Sequence, residues 1–186
     1  FTGGSGRAAG SDIGGWIKTG QLASWSVPFT GDTGGRHIWR AIREGGSQVF
    51  CEFPYEGYFG VDIALTLPER SRFDPVEALK GCLDGAIASF HRFPEPLTEK
   101  HRAILRKHAH WRGWKPPLSP GAFEDLATGD LENRLFPGAP FNLNGLDPSD
   151  DRCVVGRLTA RQSDESGRPQ LSGRIYGLKP KSDDES

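Results

Sequence analysis

The chain has 186 residues, with 23 Lys and Arg against 24 Asp and Glu and a formal net charge of −1, which excludes a globally basic nucleic-acid coat and leaves room only for a local basic patch. Its length suits one domain with a real core, and 25 Gly and 14 Pro beside 35% hydrophobic residues predict short elements joined by much loop. No apolar run reaches the ~18 residues of a membrane span, and no signal-peptide pattern opens the chain.

Cys51, Cys82 and Cys153 include no CxxC pair, so they form neither a disulfide framework nor a zinc site; free thiols imply a reducing, cytoplasmic setting. The absence of Met implies that Phe1 is not a native start and that the chain is a trimmed or partial product.

In chain order, residues 1–20 are Gly-rich and aperiodic and read as a flexible arm. Residues 22–27 read as a strand ended by Pro28. A turn-rich stretch, GDTGG, leads into a short helix over 36–43 with Ile38, Trp39 and Ile42 at helical spacing. Residues 47–53 and 61–67 read as strands; Val61, Ile63, Leu65 and Leu67 alternate with Asp62, Ala64 and Thr66, a period of two with one buried face. The best-marked helix runs from the Asp74 cap to His91, with Pro75 at its first position and Glu77 completing a capping box. Its expected core face is Val76, Leu79, Leu83, Ala86, Ile87 and Phe90. Residues 92–146 are cut by seven prolines and read as an insertion holding one helix, about 99–110. Strand patterning returns at 152–161 and 170–178 around the polar turn QSDESGR, which predicts a C-terminal hairpin. The acidic tail, 179–186, reads as disordered. The expected fold is therefore α+β: a small mixed sheet, one long helix and a C-terminal hairpin in a single domain, 21–178.

On a helical wheel the charged residues of the 74–91 helix, Glu77, Lys80, Asp84 and His91, fall in a stripe about 60° wide. The opposite side holds only Ala78, Gly81, Gly85, Ala88 and Ser89. That distribution predicts a helix packed on more than one side with the charged stripe facing a cleft. Carboxylates and a lysine converging on a cleft suit metal-assisted phosphodiester hydrolysis, in which hard oxygen ligands hold Mg²⁺ and a cation meets the charge that builds up on phosphorus.

The string DPVEALKGCLDG at 74–85, after an alternating strand and the basic loop PERSR, resembles the signature of RusA-type Holliday junction resolvases, roughly Asp-x-Asp-Asn-x-x-Lys-x-x-x-Asp. SDDRCVVGRLTAR, with Asp150 and Asp151 before an apolar strand, is similar to that family's later acidic pair. The resemblance covers 61–91 and 150–178, is loose before 60 and is absent from 92–146. It implies a homodimeric Mg²⁺- or Mn²⁺-dependent endonuclease of branched DNA, serving recombination and repair. Asp74, Asp151 and Glu77 would hold the metal, Lys80 would stabilise the transition state, and Asp84 would orient Lys80 or a metal-bound water. Val76 stands where the family has its second aspartate, and Glu77 where it has asparagine. The same residues have a structural reading: Asp-Pro-x-Glu is an ordinary helix start, and Lys80 with Asp84 an ordinary i,i+4 pair.

The stretch KHRAILRKHAHWRGWK (100–115) supplies a local basic run. Lys100, Arg102, Arg106, Lys107, Arg112 and Lys115 are expected to meet phosphates and Trp111 and Trp114 to stack on bases, joined by Arg70 and Arg72 from the loop before Asp74. The bland counterpart is a solvated basic helix packed through Ile104, Leu105 and Trp111. His108 and His110 lack a third ligand for zinc. Two further readings stand beside the nuclease: a RusA-like domain without metal that binds DNA or serves assembly, and an unrelated α+β domain whose insertion meets a protein partner.

Overall fold

The computed structural model describes residues 13–69, 73–148, 151–163 and 167–182. It is an α+β fold around a mixed sheet. In chain order come β1 (Trp16–Pro28), α1 (Gly35–Gly45), β2 (Gln48–Val49), β3 (Tyr58–Pro68), α2 (Pro75–Ser89), β4 (His91–Arg92), α3 (Glu99–Ala109), α4 (Pro120–Thr128), a 3-10 turn (Leu131–Asn133), β5 (Phe136–Pro137), β6 (Cys153–Ser163) and β7 (Gln170–Pro180).

The five long-sheet strands lie in the order β2-β1-β7-β3-β6. β3 pairs parallel with β6 and antiparallel with β7. The expected C-terminal hairpin is therefore corrected: β6 and β7 flank β3 and do not pair with each other. β3–α2–β6 is instead a βαβ unit enlarged by the insertion, the connection that two parallel neighbours require. β1 also starts at Trp16, inside the stretch read as a flexible arm, and β7 runs to Pro180, inside the stretch read as tail. The expected strand at 47–53 shrinks to two residues.

The alternation in β3 does what its period implies. Val61, Ile63, Leu65 and Leu67 are buried with Ala23, Trp25 and Val27 of β1 and Leu171 and Ile175 of β7, against Ile38 and Ile42 of α1 and Ala78, Cys82, Ala86 and Ile87 of α2. Each such apolar side chain stabilises the fold by roughly 1.5–3 kcal/mol. On the other face Asp62 accepts from Arg174 Nη2 at 2.9 Å and from the Tyr176 hydroxyl at 3.3 Å.

α2 is packed on two sides, as its small-residue flank predicts, but its core face is displaced from the expected one: Val76 is 83% exposed. The Gly81–Gly85 flank carries α1 instead. A Cβ at Gly85 would collide with the Gly35 carbonyl and lie 2.7 Å from Ile38 Cβ, and one at Gly81 would collide with the Thr33 carbonyl. Only glycine lets the two helices approach this closely.

The insertion has its own core. Phe93, Ile104, Leu105, Ala109, Trp114, Phe123, Ala127 and Phe141 close over Trp39 of α1 and Ala88 of α2. Arginines lock it down. Arg43 of α1 donates to the Leu126 and Gly129 carbonyls at the end of α4, and Arg134 also reaches Gly129 O. Cations at a helix C-terminus satisfy its orphan carbonyls and oppose its dipole.

Where the insertion leaves the body, His91 is buried beside Phe136, with Nδ1 3.2 Å from the Gly138 carbonyl and no hydrogen-bond partner for Nε2. Burial lowers its pKa from 6.5 to about 4, the Gly138 and Pro137 backbone opposing the shift. The unfolded chain then takes up the proton first, so stability is complete above about 6.5 and falls as pH drops toward 4. Between pH 7 and pH 5 this histidine is expected to cost about 2 kcal/mol. Urea melts of His91→Phe should show that pH difference reduced by about this amount; an unchanged difference would assign the acid sensitivity elsewhere.

Candidate functional site

Asp74 ends the loop after β3 and caps α2: its Oδ1 accepts from the Val76 and Glu77 amides at 2.8 and 3.3 Å. The cap is the part of the expected capping box that forms there; the reciprocal motif is found at α3, between Thr98 and His101. Asp74 and Glu77 line one open cleft with Gly31, Thr33, Gly34 and Gly81. The GDTGG loop walls this cleft because the glycine flank of α2 draws it in. Two of the expected metal ligands thus share a cleft.

The third does not. Asp151 is exposed two residues before Cys153, which pairs with Phe59 at the start of β3, and Phe59 N donates to Arg152 O at 3.1 Å. Asp74 stands at the opposite end of β3, beside Leu67. At ~3.3 Å per residue the two acids are roughly 25 Å apart, whereas ligands of one Mg²⁺ each lie about 2.1 Å from the ion. Among the described residues no three His, Cys, Asp or Glu side chains group as a metal site. Among the described residues, the carboxylates of a single chain therefore do not fit the implied cation. Asp150, Arg70 and Arg72 lie outside the described residues.

Lys80 and Asp84 form the i,i+4 pair at 2.8 Å, with Lys80 exposed. Asp84 is placed to orient Lys80, but it sits about 15 Å along the helix from the Asp74 cap, too far to act on a cation there.

On the insertion, the cations are where the basic run puts them. Lys100, Arg102, Arg106, Lys107, Arg112 and Lys115 are all exposed. Thr98 caps α3, and Ile104, Leu105 and His108 anchor its inner side, so the outer side presents the charge. Arg106 pairs with Glu99 at 2.7 Å and holds that carboxyl below its usual range. The two tryptophans are a different matter. Trp114 is 3% exposed, packs on Trp39 and Phe123, and donates from Nε1 to His108 O at 2.9 Å. Trp111 is half-buried with the Arg36 guanidinium 4.4 Å from its ring centre. The expectation that both stack on bases is corrected: Trp114 is core, and Trp111 has a cation over its ring. His108 is likewise structural, bridging Arg36 and the Asn142 carbonyl.

Trp114→Phe should then lower stability by about 2 kcal/mol through a lost hydrogen bond and a small void, and leave DNA affinity at low temperature unchanged. Thermal melts and fluorescence anisotropy check the two halves; a loss of affinity without a loss of stability would restore the stacking role.

Sequence reasoning missed two surfaces. Phe50, Phe53 and Tyr58 are exposed aromatics in the stretch from the end of β2 to the start of β3, signalled only by their density in FCEFPYEGY. On the open sheet face Arg157 and Arg174 line a depression with Ser24, Asp62, Thr159 and Ser172, which the outward positions of the strands encode. The thiol of buried Cys82 is pushed up to about 12 by desolvation, so it is inert; no disulfide joins the three cysteines. No helix among the described residues is long and apolar enough to cross a membrane.

Comparison with known proteins gives no identification: no family model, curated protein or solved structure matches the chain.

Proposed function

We propose that this chain binds nucleic acid through the outer side of α3 and the turn after it, by contacts to the phosphate backbone. The observation that carries the reading is the exposed set Lys100, Arg102, Arg106, Lys107, Arg112 and Lys115, which outnumbers the nearby acids Glu99, Glu124 and Glu44, on an element held rigid by its own core. Such a surface neutralises phosphates without reading bases. Branched DNA is the substrate class that the RusA-like residues at 74–85 and 150–161 suggest. Binding of a synthetic four-way junction and of a linear duplex, measured by anisotropy at low salt, tests it. Retention of both, tighter for the junction, is expected. No retention of either would leave the insertion as a protein-binding surface.

A second reading, metal-dependent cleavage of the junction, is favoured by the shared Asp74–Glu77 cleft. It needs a further carboxylate that the chain's own Asp151 does not bring there.

A further inference from the structure

α1 and α2 cover the inner face of the sheet with Val61, Ile63, Leu65 and Leu67 beneath them. Among the described residues no helix packs on the outer face, although a sheet with a parallel pair such as β3 and β6 is normally covered on both sides. The outer positions are cationic. The register sets Arg174 opposite Asp62 and Asp62 opposite Arg157, which spaces the two arginine positions ~10 Å apart across three strands. Asp62 is engaged from several sides. Arg174 donates to Oδ2 from Nε at 3.1 Å and from Nη2 at 2.9 Å, Tyr176 donates to Oδ1, and Lys18 Nζ lies 3.9 Å from Oδ2. Three cations thus meet one acid, and that acid holds Arg174 in place. Arg157 is exposed and joins no ion pair among the described residues. The next row along the strands is Ser172, Ala64 and Thr159, a floor of small side chains that offers hydroxyls. Four residues before Asp62 on β3, and so on the same face, Tyr58 is 47% exposed. Trp16 meets its ring edge to face at 4.9 Å, which fixes its plane ~13 Å along the strand from the arginine row.

We infer that this face is a platform for single-stranded nucleic acid, on which a base stacks on Tyr58 while Arg157 and Arg174 hold phosphates of the same strand. Three cations against one acid call for a polyanion. The exposed ring calls for a flat partner, which every nucleotide supplies and a run of acidic residues lacks. Shape selects a single strand over a duplex. The four long strands span ~14 Å between their outer axes, and with side chains they are too wide for a major groove of ~12 Å. Only unpaired bases reach such a surface, where the Ser172 and Thr159 hydroxyls can meet their edges. The inference goes beyond the α3 reading and does not rest on it: α3 meets phosphates of any nucleic acid, whereas the sheet face needs free bases.

Anisotropy at low salt with an oligo-dT of about 12 nucleotides and with a linear duplex tests the platform. Tyr58→Leu should weaken oligo-dT binding about tenfold through one lost stack, and Arg157→Gln about threefold through one lost phosphate contact. Neither should change duplex affinity. Changing Lys100, Arg102, Lys107 and Arg112 together to Gln should do the converse, weakening duplex binding while the effect of Tyr58→Leu on oligo-dT persists. Should melting show that Tyr58→Leu does not fold, Arg157→Gln decides alone, since an exposed cation outside any ion pair is not needed for folding. Oligo-dT affinity that is equal in wild type, Tyr58→Leu and Arg157→Gln overturns the inference. So does a poly-Glu peptide that displaces oligo-dT at equal charge, which would assign the face to an acidic protein partner. A wild type that binds duplex but not oligo-dT overturns it too and leaves the α3 reading standing; one that binds oligo-dT through Tyr58 but no duplex supports the platform and removes the α3 reading.

Discussion

Gly85→Val is expected to lower the melting temperature by about 6–12 °C, the largest stability effect of any single change considered. An added Cβ would strike the Gly35 carbonyl and sit 2.7 Å from Ile38 Cβ and 3.0 Å from its Cγ2. All three belong to the packed α1 backbone or to its branched Ile38 side chain, which cannot rotate away as the end of a long chain could. Overpacking of this kind costs about 1–3 kcal/mol and more when backbone must move, and for a chain of this size each kcal/mol shifts the midpoint by about 2–4 °C. The effect reaches function as well. α1 carries Arg40 and Arg43, which fasten the insertion through the Pro116, Leu126 and Gly129 carbonyls, and its first turn follows the loop that walls the Asp74–Glu77 cleft. Gly121→Ala is the control: at the second position of α4 its Cβ meets nothing within 4 Å, so the change should be neutral or stabilise by up to about 1 kcal/mol. Equal melting temperatures for Gly85→Val and wild type would show that α1 and α2 are not in the contact described.

Replacing Lys100, Arg102, Lys107 and Arg112 together by Gln should weaken DNA binding by about 100-fold at physiological salt. All four are exposed, and Gln has nearly the helix propensity of Lys and Arg, so circular dichroism and melting should change little. Arg106 is left in place because it pairs with Glu99 at 2.7 Å, and its loss would also free an acid on the same face. Each phosphate contact removed lowers affinity by a similar amount irrespective of sequence, so the loss should be the same for a four-way junction and a duplex. A loss confined to the junction would place branch recognition, rather than phosphate contact, on α3.

The local signals in this chain were readable and the distant ones were not. Asp74-Pro75 announces the start of α2, and the Asp74 side chain caps it as written. Ser119-Pro120 announces α4 in the same way, yet the density of prolines around it hid a helix of nine residues. Alternation marks the buried face of β3, but nothing local tells that β3 enters between β6 and β7. A polar turn between two strand-like runs reads as a hairpin unless a third strand from ninety residues earlier takes the place between them. The small flank of α2 shows that something packs closely there without naming Gly35 as the partner. Val76 keeps the helical spacing of a core residue but lies in the first turn, before α2 is covered by its neighbours. Trp114 sits in a basic run, and its burial depends on Trp39 and Phe123, which the run does not contain. The acid set failed for the same reason: Asp74 and Asp151 match a motif in order, while their separation is decided by the parallel pairing of β3 with β6.

The salt dependence of DNA affinity tests the central claim most directly. With the α3 surface neutralising about four phosphates, the logarithm of the association constant should fall against the logarithm of salt concentration with a slope near −4 for wild type, since each contact contributes about −0.9. The fourfold Gln variant, which keeps Arg106 and Lys115, should flatten that slope to between about −1 and −2. A wild-type slope already near zero, or a steep slope that the variant retains, would contradict binding through α3.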